Sequence, residues 1–261
     1  SVFRFVYDKR TGMFSSLQYN GKEYLNRPME VTIWRAPTDN DRTIQHRWKA
    51  AHYHETYTRA YETRVEQQEH LICLKSHVAL LAPTVQRILD MQIEWQIDEA
   101  GGIAVHFTAQ KDPDFLELPR FGVRLCLDHA LEQVVYSGMG PQESYRDKHR
   151  GSSHGRYEST VTAMHEDYIF PQENGSHYHC AYVKVGELKA EGKKPLSFNA
   201  SYYTAQELTE KMHNYELEKS GHVIWHLDYG MSGVGSNSCG PELLKQYRLN
   251  EEKMHWELVI G

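Results

Sequence analysis

Trp34-Arg35-Ala36-Pro37-Thr38-Asp39-Asn40-Asp41 is the stretch on which the reading of the chain turns. It follows Val31-Thr32-Ile33, an apolar run that reads as a buried strand. Proline has no N–H to give to a sheet ladder, so Pro37 stops the strand. Asp39, Asn40 and Asp41 then make a polar turn whose side chains can bond their own backbone. A strand that ends in a stiff, carboxylate-rich loop can present those groups to a ligand. On spacing alone the plainer reading, an Asx-capped turn, carries more weight.

Outward from this loop the chain alternates. Residues 3–25 carry two turn signals, Asp8-Lys9-Arg10-Thr11-Gly12 and Tyr19-Asn20-Gly21-Lys22, between short alternating runs, the pattern of hairpins. Strand-like runs follow at 53–70, 71–81, 84–97 (with Val85 among its apolar positions), 103–109, 123–127 and 134–137. More come at 157–163, 177–185, 196–200, 223–229, 247–249 and 255–260. Residues 147–155 are polar and rich in Gly and Ser, which predicts an exposed loop. Helix formers at 46–51 surround Trp48 as an anchor. Thr204 and Glu207 have capping-box spacing and predict a helix to about Lys211. Many short strands, few helices and no βαβ rhythm predict an all-β fold, a large antiparallel β-sandwich. No repeat or linker interrupts residues 1–261, which read as a single domain.

The 261 residues can bury a large core, with 40% hydrophobic and 25% charged residues. The net charge of -6 argues against nucleic acid as a partner, and no apolar run is long enough for a membrane helix. The chain starts Ser1-Val2-Phe3, without an initiator Met or signal segment, which suggests a processed chain or an excised domain. Cys73, Cys126, Cys180 and Cys239 are far apart and form no Cys-x-x-Cys. Cys73 and Cys126 read as core, and a cytoplasmic location is expected, with a periplasmic parent protein as the alternative.

Carboxylates in unusual loop contexts are Asp39, Asp41, Glu143 and Glu173, the last two each in a Pro-Gln-Glu sequence. Two carboxyl groups can flank a glycosidic bond. The plainer reading makes Asp39, Glu143 and Glu173 loop-stabilising carboxylates that accept backbone N–H bonds. His177 and His179, like His52 and His54, are two apart on presumed strands and share a face, with Cys180 on the other. Two same-face ligands make half a metal site, so exposed strand histidines are expected and no metal ligand is assigned. Trp34, Trp48, Trp95, Trp225 and Trp256 sit mostly in apolar runs and read as core rather than as a sugar platform.

Four stretches in order resemble the C-terminal domain of glycoside hydrolase family 2 β-galactosidases. They are residues 34–41, Gly138-Met139-Gly140-Pro141-Gln142-Glu143-Ser144-Tyr145, Phe170-Pro171-Gln172-Glu173-Asn174-Gly175, and Gly233-Val234-Gly235 through Ser238-Cys239-Gly240-Pro241. The resemblance implies a sandwich of the galactose-mutarotase-like type, as a C-terminal domain or a small subunit. Both catalytic glutamates would then lie in a barrel on another part of the protein, leaving none in this chain. It implies a pocket rim on the leaving-group side made by Asn40, Asp41, Arg42, Ser238 and Cys239. Residues 42–45 are shorter than the mobile loop of better-known relatives, and Cys239 stands where a sugar-stacking tryptophan is expected. No cofactor belongs to this chain, since the family's magnesium and alkali-metal ions sit mostly on the barrel and its neighbours. The implied partners are the other domains or the large subunit, a galactoside, and further copies of the whole enzyme. A free-standing aldose epimerase of the same sandwich type and a non-catalytic carbohydrate-binding module are the alternatives. The epimerase would need a His acid and a carboxylate base facing one sugar.

Overall fold

The structure, a computed structural model, describes residues 2–84 and 86–261, so Val85 of the 84–97 run lies outside the described residues. The chain opens with a small antiparallel sheet of β1 (Phe3–Asp8), β2 (Met13–Tyr19) and β3 (Lys22–Glu23). Asn20 and Gly21, at φ 50° and 80°, give the tight turn before β3 the left-handed backbone it needs. β4 (Leu25–Thr32) ends just before the Trp34 loop. β5 (Tyr57–Gln68), β6 (Leu71–Leu81), β7 (Arg87–Asp98) and β8 (Ile103–Lys111) form an antiparallel meander. Then come β9 (Arg120–Asp128), β10 (Gln133–Gly140), β11 (Ser153–Thr160) and β12 (His177–Val185). The last strands are β13 (Leu188–Ser201), β14 (His222–Met231) and β15 (Lys253–Ile260), and the helices are α1 (Ile44–Ala50) and α2 (Ala205–Glu210).

β13 joins two layers. Its residues 190–192 pair with β15, from which β8, β7, β6 and β5 continue in order. Its residues 197–201 pair with β14, from which β9 and β4 continue, while β12, β10 and β11 extend on its other side. The layers meet face to face through aromatic rings. Phe107 of β8 sits edge-on to Phe121 of β9 at 6.4 Å and stacks on Trp256 of β15 at 5.4 Å. Trp95 of β7 meets Phe14 of β2 at 5.0 Å and donates its indole N–H to the Gly12 carbonyl, which ties the small sheet to the large one. The fold is the all-β antiparallel sandwich expected from the alternation.

All five tryptophans are buried, as are Cys73, Cys126 and Cys180, whereas Cys239 is exposed. Trp48 anchors α1 and donates its indole N–H to the Glu117 carbonyl. Three expectations need correction. Residues 153–155 belong to β11 because they pair with β10, so the loop is shorter than its composition suggests. The predicted strand at 247–249 is a 3-10 turn, Lys245–Tyr247, followed by a lone bridge from Leu249 to Leu118. The expected capping box at α2 is half made. Thr204 Oγ1 accepts the Glu207 N–H, but the Glu207 carboxylate turns to the Glu218 N–H instead. No helix among the described residues is long and apolar enough to cross a membrane.

Candidate functional site

The loop after β4 is pinned from inside. Arg35 is fully buried, and its guanidinium meets the Asp41 carboxylate through both Nη atoms, Nη2 to Oδ1 at 3.0 Å. The same carboxylate accepts the Thr38 N–H at 2.8 Å and the Thr38 hydroxyl at 3.0 Å. Asp41 thereby closes a single 3-10 turn, Asp39–Asp41, back onto the residue before it. The Trp48 ring lies 5.4 Å from the guanidinium and brings α1 against the pair. Asp39 is exposed, and its carboxylate makes no hydrogen bond among the described residues. The stabilising role expected of Asp39 therefore falls to Asp41, whose position at the end of the turn lets it reach back.

The four motif stretches interlock around this turn. Arg35 reaches the Gly233 carbonyl at 3.5 Å, and Asn40 Nδ2 donates to the Val234 carbonyl at 2.6 Å. The Asp39 N–H donates to Gln172, and the Glu173 N–H donates to the Ala36 carbonyl. The Ser144 N–H donates to the Ser176 carbonyl, and Glu143 accepts the Gly175 N–H at 2.9 Å. Asp147 accepts the Val234 and Gly235 N–H groups, and a Cβ on Gly233 would come within 2.4 Å of its carboxylate. Every stretch thus touches at least one other.

Glu143 and Glu173 each hold residues of their own loop and also tie that loop to other parts of this cluster. Glu143 Oε1 accepts from Lys148 and Tyr168, and Oε2 accepts from Gly175 N–H and Tyr145. Burial would push its carboxyl up, but these hydrogen bonds outweigh burial and hold it below the usual range. Glu173 accepts no backbone N–H bond among the described residues. It meets Arg120 Nη2 at 3.2 Å and the Ser176 hydroxyl at 2.9 Å. Arg120 Nε stands 3.1 Å and 3.2 Å from the two oxygens of Asp228, with its hydrogen bond aimed at Oδ2. Both residues are buried, and burial pushes the Asp228 carboxyl up to about 7 against the pull of Arg120. One buried cation thus serves two carboxylates.

A cleft of about 110 Å³ lies at the surface of this cluster, between α1 and residues 232–248, with Asp41, Arg47, Asn237 and Arg248 in its wall. Of the expected rim residues only Asp41 lines this cleft; Asn40 is half-buried, and Arg42, Ser238 and Cys239 are exposed beside it, adjoining Asp41 and Asn237 in the chain. Asp41 is buried and supports the cleft from beneath.

The histidine readings change. His179 has φ 56° and sits in a register break between His177 and Cys180, so the pleat is lost. His177 is buried, 4.4 Å from the Tyr136 ring and stacked on Phe198, and its Nδ1–H donates to the Met139 carbonyl. Burial lowers its pKa to about 4. His52 and His54 flank the start of a 3-10 turn, not a strand, with rings stacked at 6.1 Å. No group of three or more His, Cys, Asp or Glu residues placed to hold a metal ion occurs among the described residues.

Arg35, Arg120, Asp147 and Asp228 are site residues to which the sequence alone assigns no role. Arg35, Arg120 and Asp228 did carry a signal, since each is a charge set inside an apolar run and a buried charge requires a partner. Asp147 sits in a polar loop and carried none.

A family model described as beta galactosidase small chain matches residues 1–260. A beta-galactosidase of Actinobacillus pleuropneumoniae is 44% identical over 260 residues, covering 99% of this chain and 26% of that protein. One of Staphylococcus xylosus is 33% identical over 260 residues, covering 98% and 26%. The chain spans about a quarter of the length of these curated relatives. Among solved structures, a candidate aldose 1-epimerase of Escherichia coli aligns over 99% of this chain and 94% of that one, at 8% identity and a TM-score of 0.46, too distant to bear on function.

Proposed function

This chain belongs to the beta galactosidase small-chain family, and on that premise we propose that it forms the leaving-group rim of a retaining β-galactosidase. The catalytic carboxylates, about 5 Å apart in such enzymes, belong to a barrel elsewhere in the protein. The observation that carries this reading is the interlocking of the four motif loops beneath one small cleft. Such a scaffold holds a rim in place while leaving chemistry to groups brought against it. Glu143 and Glu173 are fully engaged by protein donors or buried, which suits support rather than attack on a sugar. The whole enzyme acts on terminal β-galactosides, assembles with its large portion and with further copies, and draws any magnesium or alkali-metal ion from that portion. Four free cysteines suit a reducing cytoplasm.

The test is Asn40→Ala in the full protein. The Asn40 bond to the Val234 carbonyl joins the first and fourth loops, so its loss lets the 233–241 segment drift. KM for a disaccharide such as lactose should rise several-fold, while hydrolysis of a nitrophenyl galactoside changes less and the melting temperature stays within a few degrees. Identical kinetics toward both substrates would overturn the rim assignment.

A further inference from the structure

Three strand irregularities meet around residues 192–197 of β13. β13 switches partner from β15 to β14 between residues 192 and 197, so these two strands fork apart. β12 loses register at His179, and β14 loses it at Tyr229. Bulges of this kind bend strands and re-aim side chains. The fork opens a groove in two connected parts, of about 520 Å³ and about 260 Å³, with Arg146, Lys194, Pro195, Tyr229 and Gly230 lining both. It shares no wall residue with the Asp41 cleft.

The chemistry of the groove is lopsided. Arg146, Lys193 and Lys194 face Glu251 and Glu257, and Lys193 is paired with Glu257 at 3.2 Å. Arg146 and Lys194 have no ion pair among the described residues. Arg146 Nη1 is buried without a hydrogen-bond partner. A buried donor left unmet is unfavourable, and a guanidinium is met best by a planar carboxylate or a phosphate. Tyr229 and Trp256 supply apolar wall beside it for the rest of a ligand.

We propose that this groove binds a small organic anion, carboxylate or phosphate, with its charged head on Arg146 and Lys194 and its body against Tyr229 and Trp256. The groove borders the 138–145 motif at Ser144 and Tyr145 but shares no wall residue with the Asp41 cleft, and its occupancy does not depend on the galactosidase reading.

The test is calorimetric titration of the full protein with inorganic phosphate, with galactonate and with neutral galactose, in wild type, Arg146→Met and Lys194→Met. At least one anion should bind with one site per chain, and each variant should weaken it about tenfold or more, the scale of a lost charged hydrogen bond. Preference for phosphate or for galactonate identifies the head group. Galactose binding should be the same in all three proteins. Because Arg146→Met removes an unmet buried donor, its melting temperature should be equal to or above that of wild type. Absence of anion binding in wild type, equal anion affinity in the variants, or a parallel loss of galactose binding would overturn the proposal. So would a melting temperature lowered by several degrees in Arg146→Met with anion binding intact, since that makes Arg146 structural.

Discussion

Arg120 stands buried between Glu173 and Asp228, so removing its charge leaves two carboxylates facing each other without a cation. Arg120→Met should cost on the order of 3–5 kcal/mol in urea unfolding of the chain. Asp228→Asn should cost far less, because Glu173 still pairs with Arg120 and the Asp228 carboxyl, pushed up to about 7 by burial, is readily neutral. Equal losses in the two variants would contradict this division of roles. His177 sets a pH dependence of definite sign. Burial holds its folded pKa at about 4, below the usual value of about 6.5, so between those limits the unfolded chain takes up a proton that the folded chain refuses. Its contribution to stability is therefore complete above pH 6.5 and lost as pH falls toward 4. Asp228 acts in the opposite sense, favouring the fold less as pH rises from about 4 to 7. His177→Phe keeps a ring against Tyr136 and Phe198 and should flatten the loss on acidification by up to about 3 kcal/mol. An unchanged slope in unfolding free energy against pH would show that His177 titrates normally.

Elements differ in how well the sequence announces them. β7 and β8 lie where apolar and polar residues alternate, because one face of each is buried and the pleat has a period of two. α2 was legible from its first turn, and Thr204→Ala should cost about 1 kcal/mol, since Thr204 Oγ1 satisfies the Glu207 N–H. Chemical denaturation checks this, and an unshifted midpoint would mean that the cap is redundant. The breaks at His179, residues 192–197 and Tyr229 were not legible, because they arise from pairing between strands distant in the chain: β15 and β14 share one edge of β13, β12 takes its other edge, and β14 pairs with β9. The same limit applies to the site. The loops could be named from their Pro, Gly and Asp content, but Asp147 bonding to residues 234 and 235 is a tertiary fact with no local trace. The reassignment from Asp39 to Asp41 shows the point within one turn, since both are aspartates and reach across the turn separates them.

At the scale of the whole molecule, the sandwich buries a continuous core across its two layers and leaves an apolar group at the surface. Ile169, Phe170, Met212 and Tyr215 are exposed on segments joined by the Asn214 N–H to Ile169 carbonyl bond, next to the 170–175 loop. Exposed apolar side chains grouped in this way mark a contact surface. Their place beside the motif loops supports the proposal that this face meets the catalytic portion of a larger enzyme. The most direct measurement is hydrolysis of a chromogenic β-galactoside by the purified 261-residue chain, by the remaining catalytic portion of the protein, and by the two mixed together. The chain alone should show no turnover, the catalytic portion alone little, and the mixture restored turnover. Turnover by the chain alone that disappears in Glu143→Gln or Glu173→Gln would contradict this.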